Sequence, residues 1–353
     1  YRYFFVKVVK IMPRKTVYNN ITSPELIRQV SKENKELMNE FIDYLKSIDK
    51  SPTTINGYIN DLNIFFVWNL QNNNNKFFID INKRDIMKYQ NYLINTLKHS
   101  SNRVRRLKAA ISSMSNFIES MMDDLYPDFK NIVNKIPSPS KVEVREKTVL
   151  TEEQVQNLLQ YLVDNKKYQQ ACVLALALAS GARKSELLRF KVSYFTDDNI
   201  IFGSLYKTPE KIKTKGRSSK GKPLYKYTLV KRFKPYFDLW MKQREELGIS
   251  GDELFWNYRN GAWKPAAITL LNSYALTFSK ILGIDFYFHS CRHFWTTYLS
   301  EAGLPPEVIK KISGWESLDM VSLYTDTDID DELGKYFNED GIRQAEAKSL
   351  SEL

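Results

Sequence analysis

The sequence predicts a mainly α protein with a small β-sheet: an N-terminal all-α domain, then a C-terminal mixed α/β domain. Three observations carry that reading. Apolar residues recur at helical spacing through most of residues 23–135 and again from Lys231 to Asp326. The stretch IPSPSKVEVREKTVL breaks the pattern with prolines, serines and mixed charge, the composition of an interdomain linker. The segment NIIFGSLYKTPEKIKTKGRSSKGKPLYKYTLV gathers β-branched and aromatic residues around a turn rich in Gly, Ser and Lys, as strands do.

In chain order, residues 1–22 read as a basic, irregular lead. The helical domain spans 23–135. It opens with Ser23-Pro24 and ELIRQVSKENKELMNEFIDYLKSI, and SPTTINGYINDLNIFFVWNL follows with Ser and Thr capping candidates. QNNNNK is a loop, and INKRDIMKYQNYLINTLK and SSNRVRRLKAAISSMSNFIESMM are two further helices. Residues 136–148 form the linker. The second domain, 149–330, begins at LTEEQVQNLLQYLVDN with a Thr cap and an acidic first turn. YQQACVLALALASGARKSELLRF reads as a buried helix, a glycine break and a second helix. Residues 331–353 read as a short polar helix or tail.

The bulk numbers narrow the function. A chain of 353 residues with 43% hydrophobic composition can build two cores. Lys and Arg number 52 against 41 for Asp and Glu, so the net charge is +11 and the pI near 9.3. That balance favours a polyanionic partner, nucleic acid or an anionic membrane surface. The longest apolar run, ACVLALALAS, is about half a membrane-spanning helix. Positions 3–12 mix aromatics with lysines and lack a cleavage site, so no signal peptide is expected. The two cysteines, Cys172 and Cys291, offer no disulfide framework and fit a reducing cytosol.

Chemistry concentrates in two segments. ASGARKSELLRF places Arg183 directly after a glycine break at a helix start, where backbone N–H groups also favour anions, with Glu186 one turn on. FHSCRHFWTTYLSEAGLPPEVIKKISGWESLDMVSLYT holds His289, Arg292, His293, Trp315 and Tyr324. Guanidinium groups are planar, two-pronged donors to the charge on a transferring phosphoryl group. His can relay a proton near neutral pH. A tyrosine nucleophile needs its proton removed or its pKa lowered, which clustered arginines and a histidine can do. Trp315 can pack against a phosphate or donate its indole N–H to one. His289, Cys291 and His293 alternate faces on a helix and do not converge on a metal. In the basic turn Lys211–Lys222, Lys213 and Lys215 both fit the protonation of a leaving oxygen, ahead of Lys207 and Lys220. Taken singly, each of these residues has an ordinary role: a surface arginine, a core tryptophan, a half-buried tyrosine, a solvated basic hairpin.

Taken in order, these motifs resemble the catalytic domain of tyrosine recombinases, the phage-type integrases. The family pattern of Arg, Lys, His-x-x-Arg, His or Trp, then Tyr falls on Arg183, Lys213 or Lys215, His289 to Arg292, Trp315 and Tyr324. Arg292 and Tyr324 are 32 positions apart, and Gly314 directly precedes Trp315 as the family has it. SPTTINGYINDLNIFFVWN and SSNRVRRLKAAISSMSNFI are similar to the family's SAM-like core-binding domain. Trp315 stands where most bacterial and phage members have His; Cre recombinase and yeast flippase are similar to this chain in having Trp. The architecture resembles the two-domain Cre and Xer enzymes, and no separate arm-binding domain is expected before residue 25.

The resemblance implies a site-specific recombinase that cuts and rejoins duplex DNA through a 3′-phosphotyrosyl bond on Tyr324. It implies neither cofactor nor metal. Arg183 and Arg292 would hold the phosphate, His289 would take or share the tyrosine proton, and Lys213 or Lys215 would protonate the leaving oxygen. Trp315 would buttress, and Glu186 and His293 would support. Arg103, Arg105, Arg106, Lys108 and Lys220 would meet DNA. Expected partners are double-stranded DNA, three further copies of the chain in a tetramer on two sites that exchange the C-terminal segment, and a directionality factor, with no membrane. The expected location is the cytoplasm, on the nucleoid. Three alternatives stay open at this stage: a type IB topoisomerase-like or telomere-resolving enzyme, a DNA-binding protein without catalysis, and a basic structural nucleic-acid protein.

Overall fold

The structure is a computed structural model that describes residues 21–140, 150–214 and 223–324, together with 337–338 and 341–342, with side chains described up to Val321. The described residues divide into two compact units, one ending at Ser140 and one beginning at Leu150.

The first unit is all helical: α1 (Pro24–Gln29), α2 (Lys32–Ser47), α3 (Pro52–Asn72), α4 (Lys83–Asn91) and α5 (Ser101–Met121). A wider π-type turn over Tyr92–Thr96 extends α4. Ser23, Ser31, Ser51 and Ser100 each accept the backbone N–H three residues on, satisfying one of the orphan donors at a helix start. Asn82 and Asp85 close a reciprocal capping box on α4. The single first helix expected from sequence is two, because Val30 leaves helical geometry and Ser31 caps a new start. The core is apolar and rich in aromatics. Phe65 meets Tyr89 edge-on at 5.1 Å, between Leu62, Ile86, Leu107 and Ile111.

The opening residues of the expected linker belong to this unit. Ile136 packs on its core, and the Ile136 and Pro137 carbonyls accept from the Lys108 ammonium on α5. Residues 141–149 lie outside the described residues.

The second unit is built round α7 (Tyr168–Ser180), whose residues Ala171 to Ser180 are all buried. A helix apolar on every face belongs inside a core. α6 (Glu152–Asp164), capped by Thr151 and Gln154, packs on it, as do α9 (Val230–Glu246) and α11 (Phe288–Glu301). The glycine break after α7 and the short α8 (Lys184–Leu187) follow the sequence reading.

The strands expected between Asn199 and Val230 form two small sheets. β1 (Ile200–Ile201), β2 (Leu205–Lys207) and β5 (Tyr227–Leu229) pair antiparallel in the order β1-β2-β5. Beyond Thr208, β3 (Ile212–Lys213) pairs with β4 (Pro223–Leu224). Together they make one long hairpin; residues 215–222, between β3 and β4 in sequence, lie outside the described residues.

The helical pattern expected from Lys231 to Asp326 is interrupted by a further hairpin, β6 (Trp256–Arg259) and β7 (Ala262–Pro265). Asn260 and Gly261 both take positive φ, 52° and 78°, which suits the tight turn of a two-residue hairpin. α10 (Ile268–Leu282) precedes α11, and α12 (Pro306–Ser313) and α13 (Asp319–Tyr324) follow it. In the tail, expected as a short polar helix or tail, β8 (Phe337–Asn338) and β9 (Gly341–Ile342) are paired strands. The rest of the tail lies outside the described residues.

Candidate active site

The arginine turn follows from one glycine. Gly181 ends α7 in the left-handed region at φ 56°, and a Cβ there would come within 2.4 Å of the Trp295 ring. Only glycine meets both demands. The chain reverses at this point, so Arg183 becomes the N-cap of α8. Its backbone N–H donates to Glu186 Oε2 at 3.1 Å and its guanidinium to Glu186 Oε1 at 3.0 Å. The Arg183 side chain is about a quarter exposed, while that of Glu186 is fully buried.

Arg292, on α11, is 1% exposed. Its Nη1 donates to the Gly181 carbonyl at 2.8 Å and its Nη2 to the Ser313 carbonyl at 2.7 Å. One guanidinium therefore ties the end of α7 to the end of α12. Its face lies 4.8 Å from the Trp315 ring centroid, a cation–π stack. Trp315 follows Gly314, which caps α12 at φ 68° and whose Cβ would fall 2.2 Å from Leu224 on β4. Trp315 thus touches the arginine and packs with Trp295, Leu299, Ile309 and Val321. Val321 brings α13 into this cluster. Tyr324 is the last residue of that helix, and its side chain lies outside the described residues.

His289 and His293 are one turn apart on α11, rings 5.7 Å apart and edge-on. His293 is buried, and His289 is exposed at the surface of the site. Desolvation by the protein round its inner edge, then the positive field of His293, Arg292 and Arg183, push the His289 imidazole down to about 4. At neutral pH it is uncharged. Cys291 faces the hydrophobic core, and burial pushes its thiol up.

Lys226, which the sequence reading passed over, completes the cluster. It sits between β4 and β5 with its side chain 3% exposed, and its ammonium lies 2.7 Å from Glu186 Oε2. Burial pushes the lysine down against the pull of Glu186, and Arg292 and Arg183 push it the same way. For Glu186, burial pushes up, but Lys226 and then Arg183 outweigh it and the carboxyl ends below its ordinary range. The signal was strand alternation: Lys226 shares the buried face with Thr228, while Tyr225 and Tyr227 are only partly buried.

Arg183, Glu186, His289, Arg292, His293 and Trp315 are therefore brought together, with Lys226 added. Lys213 is exposed on β3, its carbonyl accepting from the Arg189 guanidinium. Lys215 and Lys220 lie outside the described residues.

Of the residues expected to meet DNA, Arg105 is exposed and donates to the Pro139 carbonyl. Arg103 and Arg106 both bind the buried Asp61 carboxylate, at 2.8 and 2.9 Å. Lys108 is a correction. It is 3% exposed, and its ammonium is held by Gln90 Oε1 and the Ile136 and Pro137 carbonyls, so it braces α5 and does not reach a phosphate. Burial, then Arg105, push its pKa down. No cluster of His, Cys, Asp and Glu suited to a metal ion occurs among the described residues.

The pattern described as the phage integrase family matches residues 148–330, just over half of the chain. The chain belongs to the phage integrase family, the tyrosine recombinases. It is a site-specific recombination enzyme that cleaves and rejoins DNA through a 3′-phosphotyrosyl intermediate. The family's N-terminal SAM-like domain matches 37–128. The SPbeta prophage-derived recombinase-like protein YomM of Bacillus subtilis (strain 168) is 30% identical over 277 residues, 77% of this chain and 80% of that protein. The integrase of Salmonella phage P22 is 48% identical over 40 residues, 11% of this chain and 10% of that one.

Solved structures share the recombinase fold. A lambda integrase dimer bound to a COC′ core site aligns over 83% of this chain and 95% of that one, with TM-score 0.60 and 17% identity. XerH in a post-cleavage complex on palindromic difH aligns over 80% and 79%, with TM-score 0.59 and 17% identity. Among the described residues of this recombinase, no helix is long and apolar enough to cross a membrane.

Proposed function

We propose that this recombinase attacks DNA with Tyr324 and that Arg183, His289, Arg292 and Trp315 carry the phosphate through the reaction. The tyrosine gives its proton to His289, and its oxygen forms a bond to the scissile phosphorus as the bond to the 5′-oxygen breaks. The leaving oxygen takes a proton from Lys213 or Lys215 on the long hairpin. Rejoining reverses the step, so the phosphodiester energy is kept in the protein–DNA bond. The observation that carries this reading is the excess of positive charge: Arg183 and Lys226 share one carboxylate, Glu186, Arg292 is near enough to act on Lys226 and His289, and His289 beside them is neutral. A site with that balance favours an added anion, and most strongly one whose charge grows in the transition state.

On the same reading, Arg105 and the exposed part of Arg106 meet phosphates, and so does Lys220. The enzyme works as a homo-tetramer on two duplex sites, each copy lending its C-terminal segment to a neighbour. An apolar groove of about 220 Å³ lined by Ala179, Phe202, Leu205, Leu229, Trp295 and Leu299 suits the receiving end. Its rim residue Phe202 is 87% exposed. A directionality factor and residence on the nucleoid in the cytoplasm complete the proposal.

Covalent trapping tests it. The protein is incubated with fragmented, randomly nicked source DNA, denatured, and the DNA bound to protein is sequenced beside a Tyr324→Phe control. The expected result is a set of adducts that share a sequence and vanish in the control. Adducts without a common sequence would point to a topoisomerase. Tight, salt-sensitive binding with no adduct in either protein would overturn the assignment of the nucleophile.

A further inference from the structure

We propose that Lys226 is a positioning residue for strand cleavage: it locks the Glu186 carboxylate so that this one buried anion fixes both the Arg183 guanidinium and the hairpin that carries the candidate general acid. The inference rests on the catalytic reading of Arg183 given above.

Three facts converge on it. First, the Lys226 ammonium is spent on Glu186 at 2.7 Å, with both side chains almost wholly buried, so it does not itself reach a bound phosphate. Second, the other oxygen of the same carboxylate receives the Arg183 guanidinium, and the Arg183 backbone N–H shares Oε2 with Lys226. Any swing of the carboxylate moves Arg183. Third, the Lys226 backbone is pinned to the hairpin in both directions: its N–H donates to Thr208 Oγ1 at 3.0 Å, and its carbonyl accepts from the Thr208 N–H at 3.0 Å. Thr208 sits between β2 and β3, in the segment that leads to Lys213. The chain of contacts therefore runs from the hairpin, through Lys226 and Glu186, to Arg183.

Stability is a poor reason for such a pair. Two charges taken out of water are seldom better than apolar residues of similar size. A buried lysine placed among Arg183 and Arg292 is costlier still, since each repels it. Geometry is what the pair supplies, and a small misplacement of a phosphate-holding group costs far more in rate than in binding.

The experiment is single-turnover cleavage of a duplex carrying the sequence recovered by trapping, in the full chain. Wild type and Tyr324→Phe stand as controls, so failure of the catalytic reading appears first and separately, as no adduct from wild type. Lys226→Met is expected to cleave on the order of 100-fold more slowly, with the affinity for the duplex unchanged. Lys226→Arg, which keeps the ion pair, is expected to recover most of that loss. The neutral pair Lys226→Met with Glu186→Gln removes both charges of the buried ion pair and leaves the partly exposed Arg183 to the glutamine oxygen. It is expected to be no slower than the slower single variant, because both changes break one link.

A duplex with sulfur in place of the 5′ bridging oxygen separates positioning from proton donation, since a thiolate leaves without a proton. The Lys226→Met defect is expected to persist on it. Restoration of the wild-type rate on that duplex would make Lys226 the acid and overturn the proposal. So would a wild-type rate in the neutral pair on ordinary DNA, or losses that simply multiply in the double variant.

Discussion

In the helical unit, buried charged groups answer to partners of their own. Asp61 takes Arg103 and Arg106, and Lys108 takes a glutamine oxygen and two carbonyls. In the second unit, Arg183 and Lys226 share the single carboxylate of Glu186, and Arg292 is near enough to act on Lys226. The first also has more cations than carboxylates, with Arg106 about half exposed on a helix surface. The second leaves a positive surplus where a neutral histidine reaches the surface. The difference separates cations that hold a fold from cations that wait for a substrate, and charge counted along the sequence does not reveal it.

The comparison breaks hardest at Arg292. Arg292→Met keeps the bulk and removes the charge, leaving the Gly181 and Ser313 carbonyls without their donors. Two stranded buried carbonyls cost about 2–6 kcal/mol, which urea titration measures. Cleavage under conditions where the variant is folded is expected to fall roughly 1,000-fold or more. A variant that keeps its cleavage rate while losing stability would make Arg292 a strut, like Lys108.

Lys108 and Arg105 sharpen the same contrast within one helix. Lys108→Met is expected to destabilise the helical unit by about 1–3 kcal/mol and to leave the salt dependence of DNA binding alone. Arg105→Ala should do the reverse, with stability within about 0.5 kcal/mol of wild type and a log–log salt slope lower by about one. A salt slope changed by Lys108→Met would restore it to the DNA-contacting set.

How far these roles were legible in the sequence follows from what sequence encodes well. Ser51, Ser100 and Thr151 announce helix starts, and the ten buried residues of α7 announce a core helix, because caps and periodicity are local. The order and spacing of Arg183, His289, Arg292, Trp315 and Tyr324 announced the family. Lys226 was hidden because its partner, Glu186, is forty positions away and only strand alternation hinted at its burial. Lys108 was misread because a basic run on a helix looks the same whether a lysine faces solvent or a folded-back segment such as Ile136–Pro137. The β6–β7 hairpin was missed although Asn260-Gly261 is a strong turn signal, since the flanking apolar residues also fit a helix.

The subtlest expected effect concerns His289, and it tests the surplus directly. Desolvation, then His293, Arg292 and Arg183, hold its folded pKa near 4, below the ordinary 6.5. The folded state therefore binds fewer protons than the unfolded chain between those values. Its contribution to stability is fully present above about pH 6.5 and is lost as the pH falls toward 4; His289→Gln should flatten that part of the stability profile. A bound phosphate places negative charge among the same cations, so the histidine should become easier to protonate. An NMR titration of the ring is expected to show a midpoint near 4 in the free protein and a higher one on the trapped duplex. That direction fits the chemistry, since a ring that gains basicity only when DNA is present can take the tyrosine proton at the moment it must leave. A midpoint near 6.5 in the free protein would mean that the cations do not act on the ring, and the contrast between the two units would lose its sharpest consequence.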